Sequence, residues 1–335
     1  MRKAMDRIIG RGVPGDSGRR SVMFGVAWAL LLVLTGCRSS AEDVLRVGTN
    51  VWPGYETLYL ARGLGYYDGT QVRLVELPSA TGVMEAFRSG RLEAAALTLD
   101  EALSLMSDGF KLKAILIFDR SRGGDAVLAK PGITSLAELR GRRIAAEKSA
   151  VGGLVLQSAL DAAGLAIADV RLVNCDSLTI AECYETSDAI VTFEPAKTLL
   201  LKEGAHVLWD SGHVPGRIVD VLVVTRAAAE SRPDGVRALL SGYFAAQKYF
   251  SEHREDAIRR MAVREHVSAE QFDNSLSGLG MLNLQDNREF LEGSPAPLDQ
   301  TACKTAAYMR SRRMLTGAVK CHDFALPRFL PEETQ

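Results

Sequence analysis

The sequence predicts a mixed α/β protein of two lobes built from parallel βαβ units. Three observations carry this. The chain has 335 residues, and at ~150 residues per domain that length suggests roughly two domains. From Leu45 onward short apolar strands alternate with helical stretches, the pattern of parallel βαβ units. Two strand endings also echo each other: Ala94–Ala102 reads AAALTLDEA and Asp188–Ala196 reads DAIVTFEPA. Chance can produce such an echo between short strands. The structural reading is two similar lobes, each ending a strand at the same kind of place.

Leu45–Thr49 is a short apolar-rich strand, and Gly54–Gly65 reads as a helix with a glycine stop. Val72–Leu77 alternates as a strand. Thr81–Gly90 is helical, with Val83 and Phe87 one turn apart, and Ala94–Leu99 is an apolar strand. Lys113–Phe118 and Ala126–Lys130 continue as strands. A second set follows Pro131: strand Arg143–Ala146, helix Gly153–Ala163 stopped at Gly164, then strands Val170–Asn174, Asp188–Phe193, His206–Trp209 and Val219–Thr225. The remainder reads as helices near Asp234–Glu252, Asp256–Glu265, Ala269–Leu279 and Asp299–Met314.

Ahead of these elements, residues 1–20 carry six basic and two acidic side chains, and an apolar run of thirteen residues spans Val22–Leu34. A basic region, a short apolar region and small residues before a cut form a secretory signal. A membrane anchor or a core helix is the alternative, but a span needs ~20 apolar residues. Arg19-Arg20 fits a twin-arginine signal poorly. Without residues 1–36 the balance is 34 basic to 39 acidic residues. No basic field recruits nucleic acid. The composition, 47% hydrophobic and 24% charged, excludes disordered and collagen-like chains.

Beyond Cys37 four cysteines remain: Cys175, Cys183, Cys303 and Cys321. An even number in an oxidising compartment permits two disulfides, in any of three pairings. Proximity favours Cys175 with Cys183 and Cys303 with Cys321; four buried thiols are the alternative. The absence of Cys-x-x-Cys and the scatter of five histidines argue against a metal site, and no cofactor is implied.

Leu34-Thr35-Gly36-Cys37 resembles the lipobox of bacterial lipoproteins, in which the cysteine takes a lipid anchor. Asn50-Val51-Trp52-Pro53-Gly54-Tyr55-Glu56, Leu58-Tyr59-Leu60-Ala61 and Gly65-Tyr66-Tyr67 resemble the opening of solute-binding proteins of nitrate/taurine/alkanesulfonate ABC importers, a superfamily that includes thiamine-pyrimidine-precursor binders. Gly124–Lys130, Thr192-Phe193-Glu194-Pro195-Ala196 and Pro215–Asp220 extend the resemblance. It implies a type II periplasmic-binding-protein fold: two lobes, a cleft, and two crossing segments, here near Ala126–Lys130 and Val219–Thr225. The implied organisation is signal peptide 1–36, linker 37–43, first lobe 44–127 and 222–325, second lobe with crossings 128–221, and tail 326–335. It also implies a monomeric, lipid-anchored protein of the periplasm or cell surface, with ABC permease and ATPase partners.

Ligands of open α/β sheets sit outside the carboxyl ends of the strands. There Trp52 can stack on a ligand, or cap the core. Glu56 faces the cleft or complements its helix dipole. Ser79 and Thr81 can bind a polar ligand atom at a helix start, or cap the helix. Ser149 and Gly152 have the same placement in the second lobe, where glycine permits close backbone approach. Glu194 can accept N–H bonds from an amine or amidine-like ring, or pair with Lys197; Asp100 is its first-lobe counterpart. Asp125 and Asp220 flank the crossings and read as hinge braces. Among candidate cleft positions Glu56, Asp100, Asp125, Glu194 and Asp210 outnumber Arg120, Arg122, Lys148 and Arg217. An anion site would want the reverse, so the expected solute is small, organic and nitrogen-containing, sulfonate/taurine-like or pyrimidine-like. Hydrolase, metalloprotease and kinase motifs are missing, which argues against an enzyme. The alternatives are a ligand-sensing ectodomain and, less favoured, an enzyme of pyrimidine metabolism.

Overall fold

The computed structural model describes residues 44–148, 151–175 and 179–332. The first lobe opens with Leu45–Thr49 (β1), Glu56–Gly63 (α1), Val72–Glu76 (β2), Ala80–Arg88 (α2), Ala94–Thr98 (β3), Leu99–Ser107 (α3) and Leu112–Ser121 (β4). The second lobe holds Asp125–Ala129 (β5), Arg143–Ala146 (β6), Val151–Ala162 (α4), Arg171–Asn174 (β7), Ile180–Thr186 (α5), Ala189–Phe193 (β8), Ala196–Lys202 (α6) and His206–Asp210 (β9). The chain returns through Val219–Thr225 (β10), Arg226–Ser231 (α7), Pro233–Glu252 (α8), Arg254–Arg264 (α9), Ala269–Leu276 (α10), Leu279–Met281 (β11), Leu284–Leu291 (α11) and Pro297–Ser311 (α12).

Each lobe is built on one sheet, in the orders β11-β4-β10-β3-β1-β2 and β7-β6-β8-β5-β9. In the first, β1 runs parallel to β2 and β3, while β10 runs antiparallel to β3 and β4. In the second, β6 runs parallel to β7 and β8, while β5 runs antiparallel to β8 and β9. The two arrangements are equivalent, with the antiparallel strand of each lobe entering directly from the other lobe. This is the type II periplasmic-binding-protein topology. The sequence echo now has a structural counterpart, since β3 and β8 hold the same place in their sheets. Buried on both faces, β3 reads as a continuous apolar run.

The segments expected to cross are strands paired inside one sheet each, β5 in the second and β10 in the first. Their buried apolar residues gain a ladder on both sides, so the expected lobe boundaries at 127/128 and 221/222 fall inside strands. The passages between sheets are residues 122–124 and 211–218. They are tied together where the hydroxyls of Ser121 and Ser211 meet at 2.7 Å and Gly123 N–H donates to Ser211 Oγ at 2.6 Å. On the first lobe, α8 packs against α1 and buries Val236, Leu240 and Tyr243 on one face. Cys175 is disulfide-bonded to Cys183, and Cys303 to Cys321. The signal and lipobox, with Cys37, lie outside the described residues.

Candidate functional site

The carboxyl ends of the strands of both lobes meet at one seam. The loop after β1 brings Asn50, Trp52 and Tyr55, the β3–α3 junction brings Thr98 and Glu101, and β10 brings Asp220. Across the seam the second lobe supplies Asp125 from β5, Phe193 from β8 and Val151 from α4. Between them lies a cavity of about 20 Å³, room for about one water. The rings of Trp52 and Phe193 meet edge-to-face across the seam, with centroids 6.0 Å apart. A solute larger than water therefore enters only if the lobes part.

Among the described residues the wall is acidic and carries neither lysine nor arginine. Tyr55 Oη donates to Asp220 Oδ1 at 2.5 Å, and Trp52 Nε1 donates to Asp119 Oδ2 at 3.1 Å just behind the wall. Asp119 and Asp220 are cross-strand neighbours on β4 and β10. Asp125 Oδ2 is buried without a hydrogen-bond partner, while the buried carboxyls of Asp119 and Asp220 face one another and hydrogen-bond when one carries the proton. Burial pushes the carboxyls of Asp119 and Asp125 up to about 7. Burial, then the neighbouring Asp100, raises Glu101 to about 8. Burial and Asp119 drive Asp220 well above the ordinary carboxylate range. Lys197 lies close enough to Asp125 to oppose its rise, but it is engaged by Glu194 Oε1 at 3.3 Å and by the Gly123 carbonyl at 2.8 Å. The wall thus combines aromatic rings with buried carboxyls that burial keeps protonated to unusually high pH.

Two carboxylates cross the seam. Glu101 Oε2 accepts from its own helix start at Thr98 N–H, 2.9 Å, while Oε1 accepts from Val151 N–H of the other lobe at 3.1 Å. In the opposite direction Glu147, just after β6, accepts from Thr81 N–H at 3.0 Å and Thr81 Oγ1 at 2.5 Å.

Residues 39–264 match the sequence model of the NMT1-like family. The chain belongs to this family. A taurine-binding periplasmic protein of Escherichia coli is 23% identical, over 73% of this chain and 78% of its own. A binding protein of Brucella abortus is 29% identical over 158 residues, 46% of this chain, and the match spans only 44% of that relative's length. Among solved structures, the alkanesulfonate-binding protein SsuA from Xanthomonas axonopodis pv. citri aligns with a TM-score of 0.68 at 17% identity, covering 84% of this chain and 96% of the other. The ligand-binding component of an ABC-type import system from Staphylococcus aureus aligns with a TM-score of 0.70 at 15% identity, covering 86% and 97%. These neighbours share the fold read from the strand orders.

Within this NMT1-like chain the expected site residues separate. Trp52 is on the cavity wall. Glu56 is not: its carboxylate is gripped by the Arg264 guanidinium, which lies over the Tyr59 ring. Ser79 caps α2 by accepting from Gly82 N–H at 3.1 Å. Thr81 holds Glu147, and Asp100 is buried and borders the larger space beside the seam rather than the small cavity. Ser149 lies outside the described residues. Gly152 accommodates its own chain, since a Cβ there would sit 2.8 Å from the Glu147 carbonyl oxygen. Glu194, one residue beyond Phe193, is held by Lys197 and by Thr198 N–H. Asp125 and Asp220, expected as hinge braces, line the wall instead, because the antiparallel strands start at the seam. None of the four basic candidates lines the wall: Arg120 covers Phe290, Arg217 covers Tyr308, Arg122 lies against Gly280, and Lys148 faces outward. Sequence reasoning missed Tyr55, Phe193, Glu101 and Glu147. The Thr98-x-x-Glu101 capping pattern was the available signal for Glu101.

Proposed function

We propose that this protein captures a small solute carrying a protonated nitrogen, an amine or an amidine-like ring, by closing its two lobes over it and releasing it unaltered. One observation carries the reading: a cavity wall with three carboxylates and three aromatic rings and no basic side chain. A cation between Trp52, Tyr55 and Phe193 gains their ring faces and satisfies the unpartnered oxygen of Asp125. A bare sulfonate or nitrate would find no cationic partner on this wall, and its charge would oppose ionisation of the carboxyls there. Closure follows because contacts from both lobes favour the shut state, and the gain equals the solute's differential affinity for it. The likeness to a taurine-binding periplasmic protein and the shared fold of an alkanesulfonate-binding protein support the transport setting. In it the lipid on Cys37 tethers the protein outside the cytoplasm, and an ABC permease reads the closed surface. The test is titration calorimetry of amines, amidines, aminopyrimidines, taurine, ethanesulfonate and nitrate. Binding confined to the protonated-nitrogen compounds supports the reading. Binding confined to nitrate or ethanesulfonate, or turnover of any bound compound, overturns it.

A further inference from the structure

The two carboxylates that cross the seam are reciprocal. Glu101 of the first lobe sits at the first residue of α4 in the second, and Glu147 of the second sits at the first turn of α2 in the first. Both carboxylates are buried. The starts of these two helices present backbone N–H groups and the positive end of a dipole, which favour negative charge. In this protein each start is occupied by a carboxylate of the facing lobe. Asp125 Oδ2 and Asp220 Oδ2 stand on the same wall, so an anion that displaced Glu101 would meet carboxyl oxygens rather than cationic groups.

Two spaces lie along the seam. Inward lies the 20 Å³ cavity, bordered by Ala80, Glu101 and Val151. Outward lies a space of about 590 Å³, bordered by Met84, Asp100 and Gly153 of the same three helices. Consecutive residues Asp100 and Glu101 thus border different spaces.

The geometry points to Glu101 and Glu147 acting together as a latch that biases the lobes toward the shut arrangement, which the solute then completes, and that disfavours anionic solutes in the cleft. This rests on the solute-binding reading above. A cation can share Glu101 with Val151 N–H, whereas an anion must compete with two seated carboxylates. The pair is thereby a specificity element as well as a closure element.

The test uses the full-length chain without solute. Hydrogen exchange is measured at the α2 and α4 starts in wild type, Glu147→Ala and Glu147→Gln. A latch predicts that Glu147→Ala speeds exchange roughly tenfold or more, the scale of one charged hydrogen bond. It does so at Thr81 and also at Val151, whose own partner Glu101 is untouched. Glu147→Gln, which keeps an acceptor but not the charge, gives a smaller change at both. Acceleration at Thr81 alone overturns the latch. Thermal melts with ethanesulfonate form the second arm: no shift in wild type and a gained shift in Glu147→Ala are expected, and equal shifts in both overturn the anion exclusion. If Val151 responds while no amine binds the wild type, the latch stands and the proposed ligand class falls. If amines bind and Val151 does not respond, the latch alone falls.

Discussion

The indole Nε1 of Trp52 donates to Asp119 Oδ2 at 3.1 Å. This bond fixes the ring that meets Phe193 across the seam, so an aromatic from one lobe reports the position of the other. Trp52→Phe keeps a ring face and loses the N–H, while Trp52→Ala loses both. An aromatic–cation contact is worth ~0.5–2 kcal/mol. Calorimetry with an amine solute is expected to show Trp52→Ala weakened about tenfold and Trp52→Phe less. Equal affinity in all three proteins would remove Trp52 from the site.

The acidic wall sets a pH dependence. Asp119 and Asp125, raised to about 7, and Glu101, raised to about 8, bind protons in the folded state where the unfolded chain has lost them. The excess is present above the unfolded values near pH 4 and ends as pH passes the folded ones. Stability of the solute-free protein therefore falls as pH rises from about 4 to about 8. Asp125→Asn removes a group that must ionise while buried. It is expected to melt higher than wild type at pH 8, with the difference shrinking at pH 5. Calorimetry in buffers of different ionisation enthalpy should show proton release when a cation binds near pH 7.

The lobes were legible because their strands are apolar runs of the right length, and the β3/β8 echo reported a real equivalence of position. The site was legible only in part. Trp52 follows from its strand end. Glu56 misled because its partner, Arg264, is 208 residues away, and no local pattern announces such a pair. Ser79 satisfies a cap, which its sequence position also allowed. Glu101 shows a capping pattern whose first oxygen does the expected local work; that its second oxygen reaches the other lobe depends on how the two sheets face each other. Asp125 and Asp220 line the wall because the strands carrying them run antiparallel, a fact of topology that neither residue's neighbours encode.

Glu56 makes the opposite prediction from the wall carboxylates. It is buried, and its rise to about 7, caused by burial, is opposed by Arg264. Arg264 also contacts Glu76 at 2.6 Å. Breaking a buried ion pair from one side costs about 3–5 kcal/mol, because the remaining charge stays desolvated; Glu76 offsets part of that here. Glu56→Gln should lower the melting temperature markedly, with solute affinity of the folded protein unchanged. A stable Glu56→Gln protein with lost binding would return Glu56 to the ligand site.

Gly124 joins the hinge to the site. Its N–H donates to the Gly278 carbonyl at 3.1 Å, and its own carbonyl accepts from Glu194 N–H at 3.1 Å. A Cβ placed there would lie 2.8 Å from Trp52 Cη2, 3.2 Å from Ser121 Oγ and 3.3 Å from the Gly278 oxygen. None of the three can yield freely: Trp52 is bonded to Asp119, Ser121 to Ser211, and Gly278 is backbone. Gly124→Ala must therefore push the first crossing away from the tryptophan. Overpacking of this kind costs ~1–3 kcal/mol, and it displaces Trp52, so solute affinity should fall although the added methyl touches no solute. Gly63→Ala is the control, since a Cβ there meets nothing within 4 Å and alanine favours a helix by up to ~1 kcal/mol. Urea titrations and calorimetry of both variants separate the outcomes: Gly124→Ala loses stability and affinity together, and Gly63→Ala loses neither. Wild-type affinity in Gly124→Ala would mean that the crossing and the tryptophan move independently.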